Sequence, residues 1–184
     1  MNKKLEDMTL EELWQLFPII LTEHKPEWKE IYLEEEALLQ KALSGFNIVN
    51  INHIGSTAVD GIKAKPIIDI LVTVAADEDI AAVSPALITA GYRLMSQKQS
   101  RMSFNKGYTE QGFSERVFHL HLRFEGDCDE LYFRDYLNAH PEAAREYEAL
   151  KISLCKKYRH NRDAYTEAKT EFVKKYTEMG RGDR

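Results

Sequence analysis

The stretch from Pro66 to Val74, PIIDILVTV, constrains the fold of this chain more than any other segment. Its β-branched and apolar residues predict a central strand that is buried in the sheet. Asp69 interrupts this strand, and a buried carboxylate is costly unless it is paired, hydrogen-bonded or bound to a metal. Two interpretations of Asp69 are open. It forms an ion pair with Lys63, Lys65 or an arginine, or it has a functional role.

The segments around this strand predict an α+β fold in one domain over residues 1–184, with residues 1–18 as a helical N-terminal extension. Thr9 and Glu12 have the spacing of a capping box, which marks the start of the first helix. Helices are predicted at residues 10–16, 26–43, 78–90 and 129–139, from Pro141 onward, and from about Asp163 to Gly180. Strands are predicted at residues 46–54, 66–74, 101–108 and 115–124.

Charge and composition narrow the classes of partner. The net charge of −5 argues against broad, non-specific binding to nucleic acid, although it leaves room for a local basic pocket. The N-terminus lacks the apolar core of a signal peptide and no run of about 20 apolar residues follows, so we predict a cytoplasmic protein without a membrane span. One basic stretch alternates with an apolar stripe and is interpreted as a solvated helix face rather than a nucleic-acid site: Lys151, Lys156, Lys157, Arg159, His160 and Arg162.

A small polar turn follows the strand predicted at 46–54. Gly55 would let a ligand approach the backbone closely, and the N–H groups and hydroxyls of Ser56 and Thr57 are suited to holding phosphate. A plain turn is the simpler interpretation of these residue types alone. The signal becomes more specific because Asp69 follows within a buried strand.

Two histidines lie two residues apart on the strand predicted at 115–124. Alternation places His119 and His121 on one face, opposite Phe118 and Leu120, which cover the core. With Asp69 on a neighbouring strand, they would form a site for a divalent metal from two histidines and one carboxylate, with Mn²⁺, Zn²⁺ or Fe²⁺ favoured over Mg²⁺ alone. The alternative is that the histidines hydrogen-bond to Asp69 or are half exposed.

Several motifs together resemble the GrpB family. The segment His53–Ile70, HIGSTAVDGIKAKPIIDI, carries most of the likeness. Further matching segments are His119–His121, Phe133–Leu137, His140–Pro141 and Tyr165–Lys169. The likeness spans about residues 19–178, and the family is assigned to the nucleotidyltransferase superfamily. The resemblance therefore implies a nucleotidyltransferase-like mixed β-sheet flanked by helices.

The resemblance also implies roles for individual residues. Gly55 and Ser56 match the Gly-Ser of the superfamily that holds phosphate, and Asp69 matches the first acid of its catalytic Asp-x-Asp pair. Leu71 stands at the second acid position. Two metal ions normally need several carboxylates, so the missing second acid argues against standard two-metal nucleotidyl transfer.

Other polar residues are candidates for contacts with a nucleotide or phosphate. They are His53 and Thr57 beside the turn, Lys63 and Lys65 in the loop before Asp69, and Arg134 and Lys169 on later helices. The competing interpretation is a solvated loop for the two lysines and helix-surface salt bridges for Arg134 and Lys169.

Three functions remain open at this stage. The first is a divergent, metal-dependent nucleotidyltransferase acting on a small-molecule acceptor. The second is a module that binds a nucleotide or another phosphorylated small molecule and has lost transferase chemistry, which Leu71 favours. The third is a metal-dependent hydrolase of phosphate esters using Asp69, His119 and His121.

Overall fold

The structure is a computed structural model that describes residues 3–183. It shows a five-stranded mixed sheet flanked by helices, so the predicted α+β class is confirmed. The strands are β1 Ile48–Ile54, β2 Ile68–Val74, β3 Arg93–Lys98, β4 Arg101–Thr109 and β5 Gly112–Phe124. The helices are α1 Leu10–Leu16, α2 Glu27–Ala42, α3 Ser84–Thr89, α4 Asp129–Ala139, α5 Pro141–Tyr158, α6 Arg162–Glu167 and α7 Thr170–Gly182.

The order of strands in the sheet is β1-β2-β5-β4-β3. β2 pairs parallel with β5, and the other neighbouring pairs are antiparallel. The predicted adjacency of β1 and β2 is confirmed, with His53 opposite Ile70 and Ile54 opposite Asp69. β2 therefore lies inside the sheet, as its run of apolar residues requires.

The main core lies on the face of the sheet that is covered by α2 and α3. Ile70 and Val72 of β2 and Leu120 and Leu122 of β5 point into it and are fully buried. Leu39 of α2 packs on the same cluster. Because side chains alternate along a strand, the polar residues of β2 and β5 lie on the opposite face, towards α4–α7.

The element boundaries differ from the prediction in a few places. The capping box of α1 is confirmed, since Thr9 and Glu12 exchange both hydrogen bonds. β3 was not predicted, because its polar, exposed residues at the sheet edge lack the alternation of a half-buried strand. α3 is shorter than the predicted 78–90, since residues 76–83 form turns instead.

The last predicted helix is two helices, α6 and α7, with a break around Lys169. Gly180 was expected to end this helix, but α7 continues to Gly182. The role of Gly180 is close packing, because a Cβ atom there would overlap the carbonyl oxygen of Tyr132 on α4. Among residues 3–183, no helix has both the length and the apolar character needed to cross a bilayer.

A buried ion pair joins α2 to the sheet on its core side. Glu35 is 5% exposed and accepts hydrogen bonds from Tyr92 Oη at 2.9 Å and from Lys106 Nζ at 2.7 Å. The Lys106 ammonium also lies 5.2 Å from the centre of the Tyr92 ring. The carboxylate of Glu35 thus depends on Lys106 for its only ion pair within the described residues.

Removal of Lys106 should destabilise the fold strongly. We expect Lys106→Met to lower the free energy of unfolding by about 3 kcal/mol, because it leaves Glu35 as a buried carboxylate without a cation. Urea denaturation monitored by circular dichroism measures the change. Arg116→Met is the matched control, since its ion pair with Glu34 is exposed and should be worth less than about 1 kcal/mol. Equal losses in the two variants would contradict the prediction.

Candidate functional site

A pocket of about 750 Å³ lies between the polar face of the sheet and helices α4–α7. The structure brings together in this pocket most of the residues proposed from the sequence. These lining residues are Gly55, Ser56, Lys65, Asp69, His119, His121 and Lys169. The two strands, the turn after β1 and the helical C-terminal half each contribute side chains. The pocket is therefore the candidate functional site.

Gly55 and Asp69 are fitted closely to each other at the turn after β1. Gly55 has a φ of 71°, and a Cβ atom there would overlap the Oδ2 oxygen of Asp69. Glycine is thus needed both for the backbone conformation and for the approach of the carboxylate. Ser56, the next residue, begins a single turn of 3₁₀-helix, Ser56–Ala58, and lines the pocket beside Asp69.

Asp69 and His119 are hydrogen-bonded neighbours on adjacent strands. The parallel register places them opposite each other, and His119 Nδ1 lies 3.1 Å from Asp69 Oδ1. Burial alone would raise the pKa of Asp69, but the hydrogen bond from His119 and the nearby positive charges lower this pKa to about 2. Asp69 is therefore a carboxylate at neutral pH.

The second ring nitrogen of His119 is occupied as well. Its Nε2 lies 2.7 Å from Tyr108 Oη and 3.0 Å from Arg162 Nη2. Arg162 Nη2 also donates to Tyr108 Oη at 2.8 Å. Burial lowers the pKa of His119, although Asp69 opposes this effect. The chain of contacts from Asp69 to Arg162 thus ties β2 and β5 to α6.

His121 lies diagonally from Asp69 on the same face of the sheet. Its Nδ1 is 3.2 Å from Nη2 of Arg123, which is 6% exposed. Burial lowers the pKa of His121 to about 4, with Asp69 opposing the shift. His121 is therefore neutral at pH 7, and its other ring nitrogen remains for the pocket.

These side chains do not fit a metal in the arrangement seen. Within residues 3–183, no group of three or more His, Cys, Asp or Glu side chains is placed to hold a metal ion. Both ring nitrogens of His119 and one nitrogen of His121 already have hydrogen-bond partners. Metal binding by Asp69, His119 and His121 stays a prediction.

A cluster of positive charges forms another side of the pocket. Lys65 and Lys151 each have a pKa lowered to about 7, first by burial and then by like charges nearby. The positive charges of Arg162 and Lys169 lower the pKa of Lys65, whereas the negative charge of Asp69 raises it. In the same way, Lys169 and Lys65 lower the pKa of Lys151, whereas the carboxylate of Glu148 raises it.

Four of the residues predicted to bind phosphate lie outside the lining of the pocket. His53 Nε2 is 2.9 Å from Oγ1 of Thr57, which in turn donates to the carbonyl of Ile67 at 3.2 Å. Lys63 is paired with Glu23 on the surface. Arg134 donates to the carbonyl of His53 at 2.7 Å and is paired with Asp135. In this structure His53, Thr57 and Arg134 hold the turn and its surroundings in place, whereas Lys63 lies in a surface ion pair.

Lys151 and Arg162 are pocket residues that the sequence did not reveal. The interpretation of their basic stretch as a solvated helix face is wrong for Lys151, which is 2% exposed, and for Arg162, which reaches His119. One signal was available for Lys151. It follows Tyr147 by four residues and precedes Leu154 by three, so it lies on the apolar stripe of α5.

Comparisons of the sequence with known proteins identify the family of this chain. Residues 18–179 match the family model described as "GrpB protein". The chain is 38% identical over 161 residues to the "Glutamate-rich protein GrpB" of Alkalihalophilus pseudofirmus, covering 84% of this chain and 91% of that protein. It is 35% identical over 159 residues to the "UPF0157 protein YqkA" of Bacillus subtilis, covering 85% of this chain but 45% of that longer protein.

Solved structures show the same fold. The conserved protein GrpB from Enterococcus faecalis superposes with a TM-score of 0.74 at 30% identity, over 88% of this chain and 96% of that one. The Cid1 poly(U) polymerase superposes with a TM-score of 0.51 at 11% identity, over 86% of this chain and 51% of that one. The fold is therefore of the nucleotidyltransferase type.

Substitution of Gly55 should disturb Asp69 directly. We expect Gly55→Ala to lower the free energy of unfolding by about 3 kcal/mol, because backbone strain adds to the clash with the carboxylate. Gly61→Ala is the control, since Gly61 has a φ of 74° but no atom within 4 Å of the added Cβ. It should cost about 1–2 kcal/mol. In a chain that already carries Asp69→Ala, Gly55→Ala should cost less stability than in the wild type, whereas the cost of Gly61→Ala should not change. Urea denaturation measures both costs. An equal cost of Gly55→Ala in the two backgrounds would disprove the clash.

Proposed function

This chain belongs to the GrpB family, and we propose that its central pocket binds the phosphate groups of a nucleotide or another phosphorylated small molecule. The nucleotidyltransferase-type fold supports a nucleotide as the first choice of ligand. The charge of the pocket supports a polyanion in general. The metal-dependent hydrolase is less well supported, because within residues 3–183 no three His, Cys, Asp or Glu side chains are placed to hold a metal ion.

The observation that carries this proposal is the buried ammonium group of Lys151. It donates to the carbonyl of Lys63 and lies 4.7 Å from the centre of the Tyr147 ring. No ion pair joins it to a carboxylate in the described part of the chain, 3–183. Because an unpaired buried cation is unfavourable, an anionic ligand is the partner that would complete this site.

Neighbouring cations extend the same site. Lys65 and Lys169 have their ammonium groups 5.8 Å and 4.5 Å from the centre of the Tyr165 ring, and Arg162 lies beside them. Like charges repel each other, so a cluster of this kind is stabilised when an anion binds between its members. Two or more linked phosphates would neutralise it better than one.

The turn after β1 provides uncharged partners to the same pocket. Ser56, the residue after Gly55, begins the 3₁₀ turn and lines the pocket. Backbone N–H groups and hydroxyls of such turns bind phosphate oxygens. The proposed phosphate site therefore lies between Ser56 and the cluster of Lys65, Lys151 and Lys169.

Nucleotidyl transfer to a small-molecule acceptor is the second candidate function. It is favoured by Asp69, an ionised carboxylate that faces the pocket from a central strand of this fold. It is disfavoured by Leu71, which occupies the second acid position and is fully buried. Phosphate binding alone needs no second acid, so it is the function that the geometry supports best.

Removal of the Lys151 charge should abolish most of the anion binding. We expect Lys151→Met to weaken binding of ATP and of inorganic pyrophosphate by about tenfold or more, because a charge-assisted hydrogen bond is lost. Without ligand, the variant should be as stable as the wild type or more so. Lys156→Met, an exposed lysine on the same helix, is the matched control.

Thermal shift and isothermal titration calorimetry provide the measurements. A ligand at 100 times its Kd should add about 2.7 kcal/mol of stability to the wild type and to the Lys156 variant. Equal affinity in both lysine variants would show that Lys151 does not contact the anion. An absence of binding of either ligand to the wild type would refute the proposed function.

Stability and anion affinity should change in opposite directions above pH 7. Lys65 and Lys151 have a pKa of about 7 in the folded chain, well below the ordinary value near 10.4. The unfolded chain therefore binds more protons between pH 7 and about pH 10, and the free energy of unfolding rises with pH across this window. Binding of pyrophosphate requires the ammonium forms, so its affinity should fall.

Urea denaturation and calorimetry at pH 7, 8 and 9 test this pair of trends. Lys151→Met should reduce both slopes, whereas Lys156→Met should leave them unchanged. A pyrophosphate affinity that is independent of pH would contradict the assignment of the site to these two lysines.

A further inference from the structure

Two arginines determine which nitrogen of each pocket histidine carries the proton. A guanidinium group only donates hydrogen bonds, so a ring nitrogen that contacts it must offer a lone pair. Arg162 contacts His119 at Nε2, and Arg123 contacts His121 at Nδ1. His119 therefore carries its proton on Nδ1 and His121 carries its proton on Nε2.

The contacts of His119 agree with this assignment. Its Nδ1–H donates to Asp69 Oδ1 at 3.1 Å, and Tyr108 Oη, which accepts from Arg162, donates to its Nε2 at 2.7 Å. The opposite tautomer would place a lone pair against the carboxylate and an N–H against the guanidinium. Both nitrogens of His119 are thus committed to the protein.

The contacts of His121 leave one group for a ligand. Arg123 is held rigidly, because its Nη1 donates to the carbonyls of Met102 and Leu122, each at 2.9 Å, and Glu130 lies 3.8 Å from its Nη2. Its guanidinium fixes the lone pair of His121 on Nδ1, away from the pocket. The Nε2–H of His121 has no hydrogen-bond partner in residues 3–183.

Asp69 offers the complementary group. Its Oδ1 oxygen accepts from His119, whereas its Oδ2 oxygen faces Gly55 and accepts no hydrogen bond from the described residues. The side chain is 26% exposed. The low pKa of Asp69, about 2, keeps Oδ2 an acceptor at neutral pH.

We infer that Asp69 and His121 recognise a hydroxyl group of the ligand without a metal ion. The hydroxyl donates to Asp69 Oδ2 and accepts from the Nε2–H of His121. This inference rests on the proposed function and deepens it, because it makes the phosphorylated ligand one that carries a hydroxyl, such as a sugar phosphate or the ribose of a nucleotide. The phosphates then bind at Lys65 and Lys151.

The same contacts disfavour a metal at this place. Ligation through His121 Nε2 would move the ring proton to Nδ1, where it would face the buried guanidinium of Arg123. Ligation through His119 would displace either Asp69 or Arg162. Two histidines with opposite, fixed tautomers are therefore our alternative to the metal site that the residue types predict.

Long-range ¹⁵N–¹H correlation spectra of protein labelled at histidine test the tautomers directly at pH 7. We expect the Nδ1–H form for His119 and the Nε2–H form for His121, with no shift of either ring on addition of Zn²⁺ or Mn²⁺. In Arg123→Gln, whose amide can also accept, His121 should become a mixture of tautomers. Identical tautomers for the two rings in the wild type, or direct binding of Zn²⁺ to them, would overturn the inference.

A matched pair of probes tests the hydroxyl. Ribose 5-phosphate should bind about tenfold tighter than n-pentyl phosphate, which has the same number of carbons and no hydroxyl, and it should shift the Nε2–H signal of His121. Asp69→Asn should remove this preference without weakening n-pentyl phosphate. Equal affinity of the two probes for the wild type would overturn the inference. If neither probe nor inorganic pyrophosphate binds, the proposed phosphate site fails, and the histidine spectra still decide on the tautomers.

Discussion

The parallel pairing of β2 with β5 is the constraint on which both the core and the pocket depend. It sets Asp69 opposite His119 and fixes which face each strand turns to the helices. A shift of the register by one residue would turn the polar residues of the shifted strand into the core, either Asp69 of β2 or the two histidines of β5, and its apolar residues towards the pocket. Ile70 and Leu120, both fully buried, therefore specify the position of the polar groups on the other face.

The positive side of the pocket depends on a different part of the chain. α5, α6 and the break before α7 bring Lys151, Arg162 and Lys169 together, and their mutual repulsion opposes this packing. Aromatic contacts oppose the repulsion, since Tyr147 packs against Phe133 and Phe172 with ring centres 5.2 Å and 5.3 Å apart. The helical half of the molecule thus holds like charges near one another, which is the arrangement that the proposed polyanion site needs.

The sequence predicted the sheet side of the site well and the helical side poorly. Asp69 in an apolar strand and the alternation around His119 are local patterns, so they can be recognised in a single segment. Burial of Lys151 depends on which helix covers its face, and a lysine on an apolar stripe is equally compatible with an exposed ammonium at the end of a buried stem. The tautomers were out of reach, because they are set by Arg123 and by Arg162, which comes from a distant helix.

In the proposed function, the two sides of the site together compensate the charge of a phosphorylated ligand. Two-metal chemistry neutralises phosphates with cations that several carboxylates must hold, whereas the resemblance to the superfamily puts the buried Leu71 at the second acid position. A metal ion beside Asp69 would also be repelled by two cations. Lys65 lies near the carboxylate of Asp69, and Arg162 contacts His119, which is hydrogen-bonded to Asp69. Lysine side chains and metal ions are thus alternative ways to neutralise the negative charge of phosphate groups. A pocket that contains the lysine cluster has less need of the second acid, and the single carboxylate is then free to bind a neutral group of the ligand.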